Sequence, residues 1–203
     1  MSRRRTRALP ARFFAQPAEG VARALLGTLL VSTIDGQTTA GRIVETEAYV
    51  GPHDPASHAA ERIGRTPRNE PMFGHPGIAY VYRIYGVHWC LNTVTDEAAF
   101  PAAVLIRALE PLRGLDVMRA RRARDGRTPP DRHLASGPGR LAAALGITGA
   151  LNGHPLDRAP LWIEPGTDVA DADVSAGPRI GITRAAEWPL RFCVRGSAWL
   201  SRT

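Results

Sequence analysis

The chain has 203 residues, enough for one domain of ordinary size or at most two small ones, with a core that needs no disulfide or structural metal. Hydrophobic residues at 44% and charged residues at 22% exclude disordered, collagenous and coiled-coil classes, and the longest apolar stretches, such as Leu25 to Val31, are too short to span a membrane. Lys plus Arg number 26 against 19 Asp plus Glu, a net charge of +7, which points to a polyanionic partner such as nucleic acid, with a merely well-solvated surface as the alternative.

The opening MSRRRTRALP is basic, has no apolar h-region of a secretory signal, and reads with the next two residues as a flexible tail over 1–12. Pro17 to Leu26 predicts a short helix, with proline in its first turn, apolar Val21, Ala24 and Leu25 at helical spacing and Gly27 as a stop. Thr28 to Ile34 and Thr38 to Val50 are strand-like and flank Asp35-Gly36, a strong hairpin signal. Gly51 to Gly77 holds five prolines, four glycines and three histidines without periodicity, so it predicts a long loop, of the kind that tends to be functional. Ile78 to Tyr85 and Val87 to Thr95 predict a second hairpin around Gly86. Ala102 to Leu109 is an apolar strand interrupted by Arg107, which needs a buried or site-facing partner. Leu115 to Arg124 reads as a basic helix, and Ser136 or Gly137 as the cap of another helix starting at Pro138. Segments around Trp162, Ile180 to Thr183 and Leu190 to Val194 predict short strands. No internal repeat or second domain boundary is visible, so 13–203 reads as one domain.

Every one of the 26 cations is arginine, so a P-loop lysine, a pyridoxal phosphate Schiff base and a lysine imine are all excluded. Cys90 and Cys193 stand alone, with no CxxC pattern, which suits a reducing compartment. Ile43, Glu45, Glu47 and Tyr49 occupy alternate positions of one strand and so share a face. Two close carboxylates raise at least one pKa, as a general acid or base requires; a solvated strand face is the alternative. All four tyrosines lie between Tyr49 and Tyr85, either as ordinary core or as surfaces for stacking bases. Tyr82 and Tyr85 fall on opposite faces, so one can line a pocket while the other projects beside Gly86 as a wedge. His53, Asp54 and His58 have ligand chemistry for a metal, but His58 is read here as an aromatic wall or hydrogen-bond donor. Ser136-Gly137-Pro138-Gly139-Arg140, at a helix start, offers either a plain cap or a phosphate site built on Ser136, Gly137 and Arg140.

Taken in order, ARALLGTLLV, GRIVETEAYVGPHDPASHA, GRTPRNEPMFGHPGIAYVYRIYG, LIRALEP, ASGPGRL, RIGIT and LRFCVRGS resemble the alkyladenine (3-methyladenine) DNA glycosylases of the mammalian type over nearly the whole chain. The resemblance implies a single mixed α/β (α+β) domain, with a curved, largely antiparallel sheet, peripheral helices and a protruding β-hairpin that enters the DNA minor groove. It implies a base-excision repair enzyme that flips a damaged purine out of the duplex and hydrolyses its N-glycosidic bond. Carried over by motif position, Glu47 resembles the general base and Arg107 the residue that helps hold the attacking water. Tyr49, His58 and Tyr82 resemble the walls that stack on the flipped base, and Asn92 the amide that rejects the amino group of guanine. Tyr85 resembles the side chain that fills the vacated space in the duplex; Val87 departs from the methionine often found beside it. The implied partner is double-stranded DNA containing damaged purines, with no cofactor and no metal, no membrane, a monomer, in a bacterial cytoplasm or nucleoid. Without lysine the enzyme is expected to be monofunctional, leaving an abasic site. A non-catalytic nucleic-acid-binding module on the same fold is the competing expectation, and a metal-dependent nuclease using Glu45, Glu47 and the loop histidines is a third.

Overall fold

The computed structural model describes residues 8–202. It is a mixed α+β domain built on one curled antiparallel sheet of nine strands, with few helices. The strands are β1 (Leu29–Ser32), β2 (Thr39–Tyr49), β3 (Ala79–Ile84), β4 (His88–Thr95), β5 (Ala102–Arg113), β6 (Asp157–Arg158), β7 (Leu161–Glu164), β8 (Val174–Gly177) and β9 (Arg191–Val194). Their order is β3-β4-β5-β2-β1-β7-β6, and β9 joins the edge of β2 beyond β1 and carries β8. The helices are α1 (Ala11–Phe14), α2 (Ala18–Ala24), α3 (Leu115–Arg122) and α4 (Pro138–Leu145).

Of the basic tail expected over 1–12, residues 1–7 lie outside the described residues. Within the remainder Leu9 is buried and its N–H bonds Ile163 O at 2.8 Å, and Ala11 opens α1, so this part is packed on the domain. The helix expected over 17–26 is α2, whose Val21 and Ala22 are fully buried, as is Leu25 at its C-cap. Full burial of a Val or Leu side chain is worth about 1.5–3 kcal/mol, which fixes the helix on the sheet. It stops because Gly27 turns to φ +85°, and a Cβ there would fall 1.9 Å from Thr167 O. Both expected hairpins form, and Asp35 and Gly36 carry the positive φ that their sequence signal implies.

Two expectations change. The strand expected over 180–183 does not form; the Ile180 N–H is instead donated to a carboxylate of β2. The strand expected to end at Leu109 runs on to Arg113, with Pro111 facing Gly41 beside a register shift, where its missing N–H leaves no gap in a regular ladder.

Paired irregularities sit where β2 meets β5. The pairs Ile43 with Leu109, Glu45 with Ala108 and Thr46 with Ile106 leave Val44 as an extra residue on one strand and Arg107 on the other. Ile43 and Leu109 therefore face the main core together with Ala48, Val104 and Ile106. The face expected for Ile43, Glu45, Glu47 and Tyr49 holds for the last three only, because the bulge reverses the alternation at Val44.

Beyond the bulge the pleat sorts side chains cleanly. Ala79, Val81, Leu91, Val104 and Ile106 join the helix-covered core. Tyr80, Tyr82 and Ala103 face the other way and form a second cluster with Ala59, Met72 and Phe73 of the 51–77 loop. That loop thus roofs the far face of the sheet.

Candidate active site

Under the roof lies a cavity of about 180 Å³, lined by Tyr49, His58, Tyr82, Asn92 and Arg107 among others, and by Ile180 and Gly181 from the 178–184 segment. Four strands supply it: Tyr49 from β2, Tyr82 from β3, Asn92 from β4 and Arg107 from β5.

The aromatic walls meet edge to face. His58 and Tyr82 have ring centres 4.5 Å apart at an interplanar angle of 74°. His58 Nδ1 lies 2.8 Å from Tyr80 Oη. The Asn92 side-chain N–H donates to Tyr80 O at 3.0 Å, and Asn92 is buried. Burial and the Arg68 charge press the His58 pKa down to about 4, so the ring is neutral at physiological pH. A histidine with a depressed folded pKa costs stability once the unfolded chain can take its proton. Stability is therefore expected to fall as pH drops from about 6.5 towards 4, and His58→Gln should remove that part of the slope; equal slopes in urea titrations of both proteins across that window would refute it.

Glu45 and Glu47, two residues apart and fully buried, have different surroundings. Glu45 Oε1 accepts from Arg107 Nε at 3.0 Å, Arg191 Nε at 2.8 Å and the Ser201 hydroxyl at 2.7 Å, while Oε2 accepts from Ser201 N at 2.6 Å. Burial pushes its pKa up, but the Ser201 bonds and the two arginines outweigh it and hold the carboxyl below its usual range. Glu47 Oε1 accepts from Ile180 N at 2.6 Å, and Oε2 accepts from Tyr49 Oη at 3.0 Å and lies 3.3 Å from Arg107 Nη1. For Glu47 burial prevails over these partners and the pKa is raised. Neighbouring carboxyls driven in opposite directions are the pattern of a structural anion beside a proton acceptor. Glu45 is thus the anchor of Arg107, a role the sequence left open.

Tyr85, at the tip of the β3–β4 hairpin, is 84% exposed, and Val87 beside it is 62% exposed. It holds φ +52° next to Gly86 at +70°, so the turn aims it away from the pocket that holds Tyr82.

A second, basic cleft adjoins the first, and the two share Arg107, Pro138 and Ile180. Arg122, Arg124 and Arg140 line it, and among the described residues none of the three is paired with a carboxylate. Burial, then repulsion from Arg140 and Arg124, holds the Arg122 pKa down, and its Nε is buried without a partner. Of the two caps expected for α4, Ser136 is not the one used: its hydroxyl accepts from Arg140 Nη1 at 3.1 Å. Gly137 occupies the N-cap at φ +142°, a conformation for glycine alone, with no side-chain cap, so the first N–H groups of α4 open on the cleft.

The sequence reading missed several partners. Arg179 and Asp54 form a fully buried ion pair at 2.5 Å, and Arg191 and Ser201 complete the setting of Glu45. Asn69 is buried and bonds His58 O at 2.8 Å and Gly64 O at 2.7 Å, which shapes the loop. Asp54 alone left a trace, as an acid two residues before Ala56 N–H, which it accepts at 3.0 Å in an Asx turn. Both Asp54 oxygens are thereby spent on Arg179, and among the described residues no group of three His, Cys, Asp or Glu is placed to hold a metal ion. Among them too, no helix is long and apolar enough to cross a membrane.

A family model described as methylpurine-DNA glycosylase matches residues 12–198. A protein of Myxococcus xanthus (strain DK1622) named "Putative 3-methyladenine DNA glycosylase" is 50% identical over 197 residues, covering 96% of this chain and 93% of the relative. Proteins of the same name from Rhodopseudomonas palustris (strain HaA2) and Methanoculleus marisnigri (strain ATCC 35101 / DSM 1498 / JR1) are 50% and 49% identical, over 94% and 96% of this chain and 88% and 98% of their own.

Proposed function

Because the chain belongs to the methylpurine-DNA glycosylase family, we propose that it hydrolyses the N-glycosidic bond of alkylated or deaminated purines in duplex DNA, after the nucleotide has flipped into the aromatic cavity. The observation that carries this reading is the junction of the two cavities. A base between Tyr49, His58 and Tyr82 and a phosphate against Arg140 and the start of α4 put the sugar between them, over Arg107 and Ile180. Glu47 touches both of those residues.

At that junction Glu47 accepts the proton of a water whose oxygen attacks C1′. The bond from C1′ to the base nitrogen breaks, and its electron pair leaves with the base. Arg107 helps hold the water, and the ionised Glu47 opposes the positive charge that grows on the sugar. The tyrosine walls attract cationic alkylated bases through their ring faces, and Asn92 screens purine edges. Tyr85 fills the gap left in the duplex, and Ser136, Gly137 and Arg140 hold a backbone phosphate. The sequence contains no lysine to form an imine with the opened sugar, so the product is an intact abasic strand, and the enzyme works as a monomer without cofactor.

Single-turnover assays on duplexes carrying hypoxanthine or a methylated purine, run in EDTA, test this. Free base and an uncut strand that breaks only on alkali treatment are expected, together with DNA binding that weakens steeply with salt because about 0.9 log units of affinity are lost per log unit of salt for each phosphate contact. Binding without any base release would favour a non-catalytic module, and release that needs a divalent ion would favour metal-assisted chemistry.

A further inference from the structure

We propose that Arg179, seated on Asp54, is a positioning residue for Glu47, acting through the Ile180 N–H that follows it; the proposal rests on the reading of Glu47 as the base. The Arg179 and Asp54 side chains are both fully buried. Arg179 Nη1 donates to Asp54 Oδ2 at 2.5 Å and to Ala48 O at 3.0 Å, and Nη2 donates to Asp54 Oδ1 at 2.9 Å. The guanidinium carbon sits 4.8 Å from the ring centre of Tyr49. One cation thus touches the backbone between Glu47 and Tyr49, the ring of the tyrosine that bonds Glu47, and the acid that opens the loop bearing His58.

The need for such a clamp follows from how the segment is held. Among the described residues, 178–184 make no hydrogen bond between their backbone and another backbone group. Ile180 N is nevertheless 2.6 Å from Glu47 Oε1. A bond that short, from a segment outside any ladder, needs a fixed neighbour, and a bidentate guanidinium is the most rigid one a side chain can supply. A buried ion pair is a poor source of net stability, since desolvation offsets its attraction, which makes geometry the better reason for it here.

The groups facing Glu47 are Glu45 and Tyr49 on β2, Arg107 on β5, Arg191 and Cys193 on β9, and Cys90 on β4. Of these only Tyr49 also touches Arg179, through its ring, and its bond to Glu47 acts in the same direction as that of the Ile180 N–H, the group that shortening Arg179 frees most directly. That N–H favours the ionised form, so its loss raises the proton affinity of Glu47 and shifts the acid limb of the reaction to higher pH.

Arg179→Lys keeps the charge but loses the fork, and Asp54→Asn loosens the clamp from its other end. Both are expected to fold and to bind duplex carrying a stable abasic-site analogue. Near neutral pH single-turnover release should fall by about 10²-fold, the cost of a misplacement near 1 Å, and the deficit should shrink as pH rises. The midpoint of Glu47, followed by NMR on carboxyl-labelled glutamate and assigned with Glu47→Gln, should rise in both variants; this readout needs no catalysis. An active wild type with variants slowed equally at every pH, or a Glu47 midpoint unchanged in the variants, overturns the proposal. A wild type that releases no base refutes the glycosylase reading instead, and the titration still decides whether Arg179 governs Glu47.

Discussion

Glu47→Gln is expected to stop base release while leaving a protein that folds, binds DNA and melts at a higher temperature than wild type near pH 8. A general base alone contributes about 10²–10⁴-fold, and Glu47 is also the carboxylate nearest the proposed sugar site, so the loss should sit at the upper end of that range. Glutamine keeps one oxygen for Ile180 N, and its amide N–H takes the place of Oε2 by donating to the Tyr49 hydroxyl, which turns to accept, so the local geometry is preserved. The stability gain follows from linkage. Burial raises the folded-state pKa of Glu47 above its ordinary value, so the carboxyl favours folding in acid and that contribution is lost as pH rises through the raised pKa. The difference between variant and wild type should accordingly vanish where both are uncharged, at acidic pH. For a domain of this size each kcal/mol moves the melting point by about 2–4 °C, within reach of calorimetry. A variant that melts below wild type at pH 8 would show that the carboxylate is a structural anion.

Arg107→Met should unfold far more easily than wild type, in contrast to the preceding variant. Arg107 meets Glu45 at 3.0 Å and Glu47 at 3.3 Å with only 8% of its side chain exposed. Removing the cation leaves two buried carboxylates facing each other, and breaking a buried pair costs about 3–5 kcal/mol. Glu45 keeps Arg191 and Ser201, so the greater disturbance falls on Glu47, whose proton affinity rises further. Urea midpoints should therefore drop most at alkaline pH, where both acids are charged, and recover in part with Glu47→Gln added. A stability unchanged by Arg107→Met would mean that the two acids are neutralised by other means.

The contrast between these two variants marks how far the sequence could be read. Glu47, Tyr49 and Tyr82 were visible because strand alternation and motif position agree on them, and Asn92 by motif position alone; the structure brings Tyr49, Tyr82 and Asn92 to one cavity, with Glu47 bonded to Tyr49. Arg107 was visible because an arginine in an apolar strand is costly and must have a partner. Arg179 gave no such sign: it stands just before Ile180 to Thr183, which reads as a short strand, and its partner Asp54 lies 125 residues earlier. Ser201 and Arg191 were hidden for the same reason, since Ser201 lies 156 residues from the acid it bonds. Periodicity reports which face a residue takes but not which distant segment folds over that face. The one error of facing, at Ile43, came from a bulge, which alternation cannot show.

That bulge bears on how the site can change over generations. Val44 and Arg107 are single extra residues on facing strands, and their effects cancel, since Ile43 still meets Leu109 and Glu47 still meets Leu105 as in an unbroken ladder. Loss of one codon from the regular part of either strand would exchange inside for outside in everything beyond it. Loss at the extra residue itself restores strict alternation instead, and on β5 that residue is the arginine, so straightening the strand removes Arg107 from the site. The arrangement is consequently open to substitution, and a lineage that keeps the bulge on β5 inherits the place of Arg107 with it.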